Sequence, residues 1–315
     1  MTTPKVTVLT SVLNGEEFLA EAIDSILAQS FADFEFIIVD NASTDRTPDI
    51  IQSYDDPRVI HLRNPETLNL SQSLNKGLAA ARGEYVARLD ADDFAMPDRL
   101  DQQISFLDNN PHVALVASAW TDFGHGYAFP GVLSPIPPQS HSELITALAA
   151  DNILAHSTIT FRRKPVLDLG GYPEDYAYCM DYVLYLRLAE THQLAALGEA
   201  TVAMRNHDKQ ITVDPSWQLP RAVELARATI EFAALPNQAI STTRAARTQQ
   251  AKSCFRAALL ALRVGRIGPA LGWIWLGLAS GPRALVSITL AFAKRLLTGS
   301  GQPRHLPGQG PMPHS

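Results

Sequence analysis

The sequence predicts an α/β protein, with a mostly parallel sheet flanked by helices and a C-terminal α-helical extension. Strand and helix patterns alternate as β-α-β-α-β-α-β over the first 93 residues, and acidic residues directly follow two of the strands. From Trp217 onward the chain is rich in Ala, Leu and Arg at helical spacing. Strands that alternate with helices form parallel sheets, which bind ligands at the carboxyl ends of their strands.

Short apolar runs rich in β-branched residues predict four strands, at 6–10, 34–39, 58–62 and 85–89. Apolar residues at helical spacing predict three helices between them, at 18–27, 47–53 and 70–81. An Asn14-Gly15 turn precedes the first helix, and Gly83 follows the third. These elements make up the alternating half of the chain.

The rest of the sequence predicts further helices, one more strand, a long connection and a disordered tail. A helix at 99–109 and an apolar strand at 113–120 precede a Gly- and Pro-rich connection at 123–138 and a helix to about residue 150. Three or four helices are then expected, within 219–234, 242–264, 267–279 and 283–298. We expect an α/β domain over residues 1–215, a helical region over 216–299 and a disordered tail over 300–315.

Composition limits the classes of partner. The 32 acidic and 26 basic residues give a net charge of −6, which argues against a nucleic-acid-binding surface over the whole chain. Two distant cysteines indicate neither a disulfide framework nor a zinc site, and the N-terminal apolar run is too short for a signal peptide. These features predict a cytoplasmic protein.

The last helices leave two kinds of partner open. No apolar run reaches about 18 residues, so no transmembrane span is predicted. Trp273 and Trp275, bordered by basic residues, fit a helix that lies in the membrane interface. The alternative is a helical bundle that packs on the α/β domain or on a second subunit, so the oligomeric state stays open.

Three carboxylates follow the predicted strand at 85–89 within four residues: Asp90, Asp92 and Asp93. Carboxylates this close repel one another unless a cation offsets their charge, and oxygen ligands suit Mg²⁺ or Mn²⁺. The alternative is a solvated acidic turn that caps the next helix. Neither a G-x-G-x-x-G motif nor a G-x-x-x-x-G-K-[ST] motif is present, so a glycine-rich phosphate cradle is not predicted.

Separated blocks in the first two thirds of the chain resemble family 2 glycosyltransferases with the GT-A fold. The blocks read VTVLTSVLNGEEFLAEAIDSILAQ, FEFIIVDNASTDRT and LSQSLNKGLAAARGEYVARLDADDFAMPDRLDQQ, and the resemblance extends over about residues 6–211. Several blocks in the family's order make it more specific than any one motif. It implies a nucleotide-sugar donor, a divalent cation and an inverting single displacement.

The resemblance implies a pocket for the nucleobase at the first two strand ends. Asp40 matches the aspartate that hydrogen-bonds the base, usually uracil, and a carboxylate can accept from an imide N–H. Thr10 lies where family members line the same pocket, and Asp45 either caps the following helix or touches ligand. Leu13 stands where many relatives have a Tyr that stacks on the base.

The resemblance also assigns the residues around the diphosphate and the metal, Mn²⁺ or Mg²⁺. Asp92 matches the metal-coordinating aspartate, while Asp90 approaches the ribose and shares the metal site. Arg205 and His207 match a late R-x-H motif that reaches the diphosphate or the metal, with Met204 in place of the usual Tyr. A bound cation would neutralise the charge that builds on the leaving nucleoside diphosphate.

Asp181 matches the family's general base, which deprotonates the acceptor hydroxyl opposite the leaving group. Met180 replaces the Glu that usually precedes it. The alternative for Asp181 is an acid favoured by the dipole at a helix N-terminus. His156 precedes a short strand in a further matching block, NILAHSTITFRR, where it faces the donor or acceptor or is structural.

These assignments predict transfer of a sugar, with UDP as the expected carrier, to a hydroxyl of a glycan or lipid-linked acceptor in surface polysaccharide synthesis. Leu13 and Met180 leave open a nucleotide-sugar-binding protein without turnover. A sugar nucleotidyltransferase is the third alternative, although that class needs a Gly-rich loop with a basic residue where this chain has Asn-Gly-Glu-Glu. The sugar, the acceptor and the linkage are not predicted.

Overall fold

The computed structural model describes residues 3–124, 127–208, 215–234 and 240–279. Its strands are β1 (Val6–Val12), β2 (Phe34–Asp40), β3 (Val59–Arg63), β4 (Tyr85–Arg88), β5 (Phe94–Ala95), β6 (Val113–Gly124), β7 (Tyr127–Leu133), β8 (Thr160–Arg162) and β9 (Gln193–Arg205). Its α-helices are α1 (Leu19–Leu27), α2 (Thr47–Gln52), α3 (Leu70–Ala80), α4 (Arg99–Asn109), α5 (His141–Leu148), α6 (Arg163–Asp168), α7 (Met180–Ala189), α8 (Gln218–Ala233), α9 (Ile240–Arg263) and α10 (Ile267–Ala279).

The strands form one sheet in the order β3-β2-β1-β4-β8-β6-β9-β5, with β7 paired to β6. Strands β1 to β4 are parallel, which confirms the prediction for the alternating half of the chain. From β8 onward antiparallel pairs join them, so the whole sheet is mixed. In the parallel half, Asp40 lies opposite Val12 on one side and Arg63 on the other, so the strand ends meet at one edge.

Apolar side chains fill two cores, one on each face of the sheet. On β2, Ile37 and Val39 belong to one core, and Phe36 and Ile38 to the other. All four side chains are fully buried. A strand buried on both faces reads as a continuous apolar run, as β2 does, because helices cover both sides of a parallel sheet.

The predicted connection at 123–138 contains strand β7, and β6 extends beyond its predicted end to Gly124. The two strands pair antiparallel with a register shift between Asp122 and Gly124. Gly131 has a φ of +95°, and a Cβ there would lie 1.9 Å from the Asp122 carbonyl oxygen. Gly131 therefore lies where two strands approach closely, although glycine in this stretch of the sequence is typical of a loop.

The C-terminal helices α8, α9 and α10 lie within two residues of their predicted bounds. Helix α8 packs on the α/β part, since Arg227 contacts Asp175 at 2.8 Å and Glu231 contacts Arg187 at 2.9 Å. The predicted helix at 283–298 and the tail at 300–315 lie outside the described residues. Within the described ranges, no helix is both long enough and apolar enough to span a membrane.

Candidate active site

Strand β4 ends in a fully buried arginine that supports the acidic cluster. The Arg88 guanidinium donates to the carbonyl oxygens of Leu9, at 3.3 Å, and Leu89, and it contacts Asp90 Oδ1. Leu9 lies within β1, and Leu89 and Asp90 directly follow β4, so the guanidinium joins the two strands beneath the cluster. The Nε atom of Arg88 is buried without a hydrogen-bond partner.

Asp90 is held from two sides. Its backbone N–H donates to Ser157 Oγ at 2.9 Å, and the Ser157 hydroxyl donates back to Asp90 Oδ2 at 2.9 Å. Burial raises the pKa of Asp90, but the charge of Arg88 and the hydrogen bonds outweigh it and hold that pKa below its usual value. Asp90 is therefore ionised at neutral pH, with its side chain about one third exposed (36%).

Asp92 faces His207 across the cluster, with 2.9 Å between Asp92 Oδ2 and His207 Nε2. Burial, and then the charge of Asp90, raise the pKa of Asp92. The His207 ring packs against Phe18, with 4.8 Å between centroids. The negative charge of Asp90 therefore acts on the Asp92 carboxylate across the cluster.

This donor set fits a divalent cation. The mutual repulsion of Asp90 and Asp92 would be relieved by a positive ion, and Mg²⁺ sites commonly use one or two carboxylates completed by substrate phosphates. Among the residues that the structure describes, no group of three or more His, Cys, Asp or Glu side chains forms a ready metal site. Asp90, Asp92 and His207 remain the predicted ligands.

Asp93 and Arg205 tie the cluster to the end of β9. The Arg205 backbone N–H donates to the buried Asp93 Oδ1 at 3.0 Å, and Arg205 Nε donates to the Asp92 carbonyl oxygen at 3.1 Å. The Arg205 guanidinium lies 4.5 Å from the ring centroids of both Phe18 and Phe123 and also contacts Glu21. In this arrangement Arg205 fixes the acidic loop, and its contact with a diphosphate stays a prediction.

Asp40 lies fully buried at the end of β2. Its Oδ1 accepts from the Ser43 backbone N–H at 2.8 Å. Its Oδ2 lies 2.9 Å from Arg63 Nη1 and 3.8 Å from His61 Nε2 but has no aligned hydrogen-bond donor. A buried acceptor without a donor is uncommon, and the half-exposed Arg63 side chain is what covers this one.

Thr10 lies in β1 beside the acidic cluster. It is fully buried, and its hydroxyl donates to the Leu89 carbonyl oxygen at 2.9 Å. The side chain therefore braces the strand end that carries Asp90. The predicted contact of Thr10 with a nucleobase stays a prediction.

Asp181 lies in the first turn of α7, and Asn152 Nδ2 donates to its Oδ2 at 3.1 Å. Burial raises the pKa of Asp181, and the charge of Asp90 raises it further, so the two carboxylates lie within electrostatic range. Met180, the residue before Asp181, is buried in the core. A carboxylate with a raised pKa suits proton abstraction.

The turn that leads into α7 is held by Glu224 of α8. Its carboxylate accepts from the backbone N–H groups of Ala177, Tyr178 and Cys179, at 2.8, 2.7 and 3.2 Å. The helical region thus positions the start of the helix that carries Asp181. The sequence patterns gave no signal for this role, because Glu224 reads as an ordinary surface residue of a helix.

His156 contacts Tyr172 rather than a free surface, with 3.0 Å between His156 Nε2 and the Tyr172 hydroxyl. Burial, and then the charge of Arg88, lower the pKa of His156 to about 3, so the ring is neutral at physiological pH. Nearby on α7, the Tyr185 hydroxyl is buried without a hydrogen-bond partner. The sequence could have indicated this position, because Tyr185 follows Asp181 by four residues and residues at that spacing share one face of a helix.

Comparison with known proteins identifies the family. The glycosyl transferase family 2 profile matches residues 7–169. A glycosyltransferase of Methanocaldococcus jannaschii, MJ1057, is 33% identical over 221 residues, which cover 67% of this chain and 75% of the relative. EpsE of Bacillus subtilis is 35% identical over 173 residues, 54% of this chain, and the match spans only 60% of EpsE. TuaG of the same organism, named as a candidate teichuronic acid biosynthesis glycosyltransferase, is 39% identical over 106 residues, 33% of this chain and 42% of TuaG.

Solved structures share the fold. Staphylococcus aureus TarS 1–349 in complex with UDP-GlcNAc superimposes with a TM-score of 0.68 at 16% identity, over 89% of this chain and 82% of that one. The mannosyltransferase PcManGT of Pyrobaculum calidifontis, in complex with GDP-Man and Mn²⁺, gives 0.62 at 19% identity, over 94% and 81%. These neighbours are GT-A glycosyltransferases, which confirms the predicted fold class. The chain belongs to glycosyl transferase family 2 and is a glycosyltransferase with the GT-A fold.

Proposed function

We propose that this enzyme is an inverting, metal-dependent glycosyltransferase that moves a sugar from a UDP-sugar to an acceptor hydroxyl. The acceptor would be a growing surface glycan carried on a lipid at the cytoplasmic face of the membrane. Its relationship to glycosyltransferases of cell-wall polysaccharide synthesis supports this class of acceptor. The nucleotide sugars bound by TarS and PcManGT support the class of donor.

The donor nucleoside would bind at the end of β2. Asp40 Oδ2 is a buried acceptor without an aligned donor, and an imide N–H of uracil supplies one. Because the Asp40 side chain is fully buried, Arg63 has to swing away before a base can reach it. The guanidinium is half-exposed (48%), so this motion needs no rearrangement of the core.

The diphosphate would bind over Asp90, Asp92 and His207, the side chains that would hold Mn²⁺ or Mg²⁺. When bound, the cation supplies electrostatic stabilisation to the leaving nucleoside diphosphate. Arg88 and Ser157 hold Asp90 in its ionised form, and Arg205 fixes the backbone of the loop. The site therefore needs little rearrangement to receive a charged ligand.

Asp181 would remove the proton from the acceptor hydroxyl as that oxygen attacks the anomeric carbon. The carbon–oxygen bond to the sugar forms on one face while the bond to the diphosphate breaks on the other, which inverts the configuration. The raised pKa of Asp181 makes it a stronger base than an exposed carboxylate. Asn152 donates to one carboxylate oxygen and so orients the group.

The observation that carries this proposal is the meeting of Asp92 and His207, 2.9 Å apart, beside an Asp90 carboxylate that Ser157 and Arg88 hold in place. Thermal-shift measurements with UDP, GDP, dTDP and CDP, each with and without Mn²⁺, test the donor site. We expect a metal-dependent rise in Tm that is largest for UDP. If only GDP raised Tm, the carrier would be GDP and not UDP. If no nucleotide raised Tm, the assignment of the donor site would be wrong.

A further inference from the structure

Helix α10 has one apolar face that packs on α9 and another that does not. On the packed side, Ala270 and Gly277 are buried, and a Cβ at Gly277 would lie 3.0 Å from the Phe255 ring and 3.4 Å from Cys254 Cβ. Small residues therefore let α9 and α10 approach closely. The described part of the chain brings nothing else to cover the opposite side of α10.

The uncovered side carries a regular stripe of large apolar residues, which we name the α10 face: Ile267, Leu271, Trp275 and Leu278. Their spacing of four, four and three residues places them along one line of the helix. They are 63%, 60%, 68% and 41% exposed. Contiguous exposed apolar surface of this kind marks an interaction site, because isolated surface leucines do not line up.

The end of α9 also exposes apolar residues. Leu259, Leu262 and Val264 are also exposed, and Gly265, with a φ of +75°, turns the chain from α9 into α10. In that turn the Gly265 and Arg266 backbone N–H groups donate to the Leu262 and Ala261 carbonyls. This helix-ending motif fixes the two helices relative to each other and places basic residues at their junction.

The charge of this region selects the partner. Residues 232–315 contain ten Lys and Arg residues and no Asp or Glu, whereas all 32 acidic residues precede them. Arg263 and Arg266 are exposed at the junction of α9 and α10. An apolar stripe bordered only by positive charge is complementary to an anionic lipid surface, in which chains sit below negative headgroups.

Two alternatives fit less well. In a symmetric dimer the same basic surface would face itself, which like-charge repulsion opposes. A transmembrane insertion does not fit the described part of α10, since its 13 residues span about 20 Å, shorter than the hydrocarbon core of a bilayer. A helix of this length and pattern lies in the interface plane.

We propose that the α10 face binds the surface of a membrane that contains anionic lipid, with Trp275 and its apolar neighbours inserted and Arg263 and Arg266 against the headgroups. The surface would hold the catalytic domain where a lipid-carried acceptor is presented. The proposal does not depend on the donor and base assignments, because binding to lipid needs neither nucleotide nor turnover.

Flotation of the full-length protein with vesicles tests this directly. The protein is expected to float with vesicles of phosphatidylglycerol and phosphatidylcholine in equal parts, and to stay at the bottom with phosphatidylcholine alone. The double variant Leu271→Gln/Trp275→Gln should lose at least about tenfold in partition coefficient. Leu167→Gln, which changes an exposed leucine of α6, is the matched control and should float like wild type.

The double variant Arg263→Gln/Arg266→Gln tests the role of charge and should weaken vesicle binding by about tenfold. Its control, Lys164→Gln on α6, should bind like wild type. Thermal unfolding of every variant shows that the fold is kept. In Trp275→Phe, binding should persist while quenching of Trp fluorescence by brominated lipid falls. No binding to anionic vesicles, or binding unchanged in the Leu271/Trp275 variant, would overturn the proposal, as would a concentration-dependent dimer that this variant abolishes.

Discussion

His207 Nε2 lies 2.9 Å from Asp92 Oδ2, although 115 residues separate the two in the chain. The contact closes the site, because it brings the end of β9 onto the acidic loop that follows β4. A carboxylate and an imidazole at this distance can share a cation.

The first prediction concerns this pair. His207→Ala should raise the Mn²⁺ concentration needed for half-maximal activity by about tenfold, because the cation loses one predicted ligand. Chelation by EDTA should abolish activity in both proteins, and added Mn²⁺ should restore it. His112→Ala, which changes an exposed histidine before β6, is the control. An unchanged metal dependence in His207→Ala would remove His207 from the metal site.

The second prediction concerns Asp181. Asp181→Asn should lower kcat by about 10²- to 10⁴-fold, because an amide cannot accept the acceptor's proton, while the affinity for UDP stays the same. The base must be ionised, and burial raises its pKa. Wild-type kcat should therefore fall as the pH drops through a value above the usual carboxyl pKa. A full-rate Asp181→Asn variant would rule out this residue as the base.

The third prediction concerns the buried guanidinium of Arg88. Arg88→Lys should lower the free energy of unfolding by about 1–3 kcal/mol, because an ammonium cannot reach the two carbonyls and the carboxylate together. Chemical denaturation measures this change. Arg46→Lys alters an exposed pair with Glu16 and should change stability by at most about 0.5 kcal/mol. Equal effects of the two variants would contradict the role of Arg88 in bracing the site.

The fourth prediction concerns Glu224. Glu224→Gln should lower kcat by about tenfold with little change in the KM for the donor, because the turn before α7 loses charged acceptors and Asp181 loses its fixed position. Steady-state kinetics separate the two parameters. Glu231→Gln on the same helix is the control, since Glu231 contacts Tyr176 and Arg187 side chains but no backbone N–H of that turn. A purely structural role for Glu224 would lower stability without lowering kcat.

Most helices and strands could be predicted because their signals are local. The buried run of β2 and the helical spacing of α4 each lie within about a dozen residues, and the structure has α4 at its predicted bounds. Strand β7 was missed because its Gly and Pro residues are typical of loops. The antiparallel insertion of β8 between β4 and β6 depends on contacts across about 75 residues, which no local pattern carries.

The residues of the candidate site likewise divide into those with a local signal in the sequence and those without one. Asp90 and Asp92 were predicted because three acids follow one strand, and His207 because it lies in a short R-x-H motif; the structure brings Asp92 and His207 together, and their roles stay predictions. Ser157 was missed, since its bond to Asp90 crosses 67 residues. Arg63 was missed as well, because its contact with Asp40 arises from the pairing of β2 with β3. Side chains that hold a site together carry no signature of their own in one sequence.

Calorimetric titration of UDP is the most direct test of the central claim, that one cleft binds a nucleotide through the acidic cluster and acts through Asp181. With Mn²⁺ present, wild type and Asp181→Asn should bind UDP equally, and Asp92→Ala should lose at least about tenfold in affinity. Without the metal, all three should bind weakly. Binding that ignores Mn²⁺, or that survives unchanged in Asp92→Ala, would contradict the account.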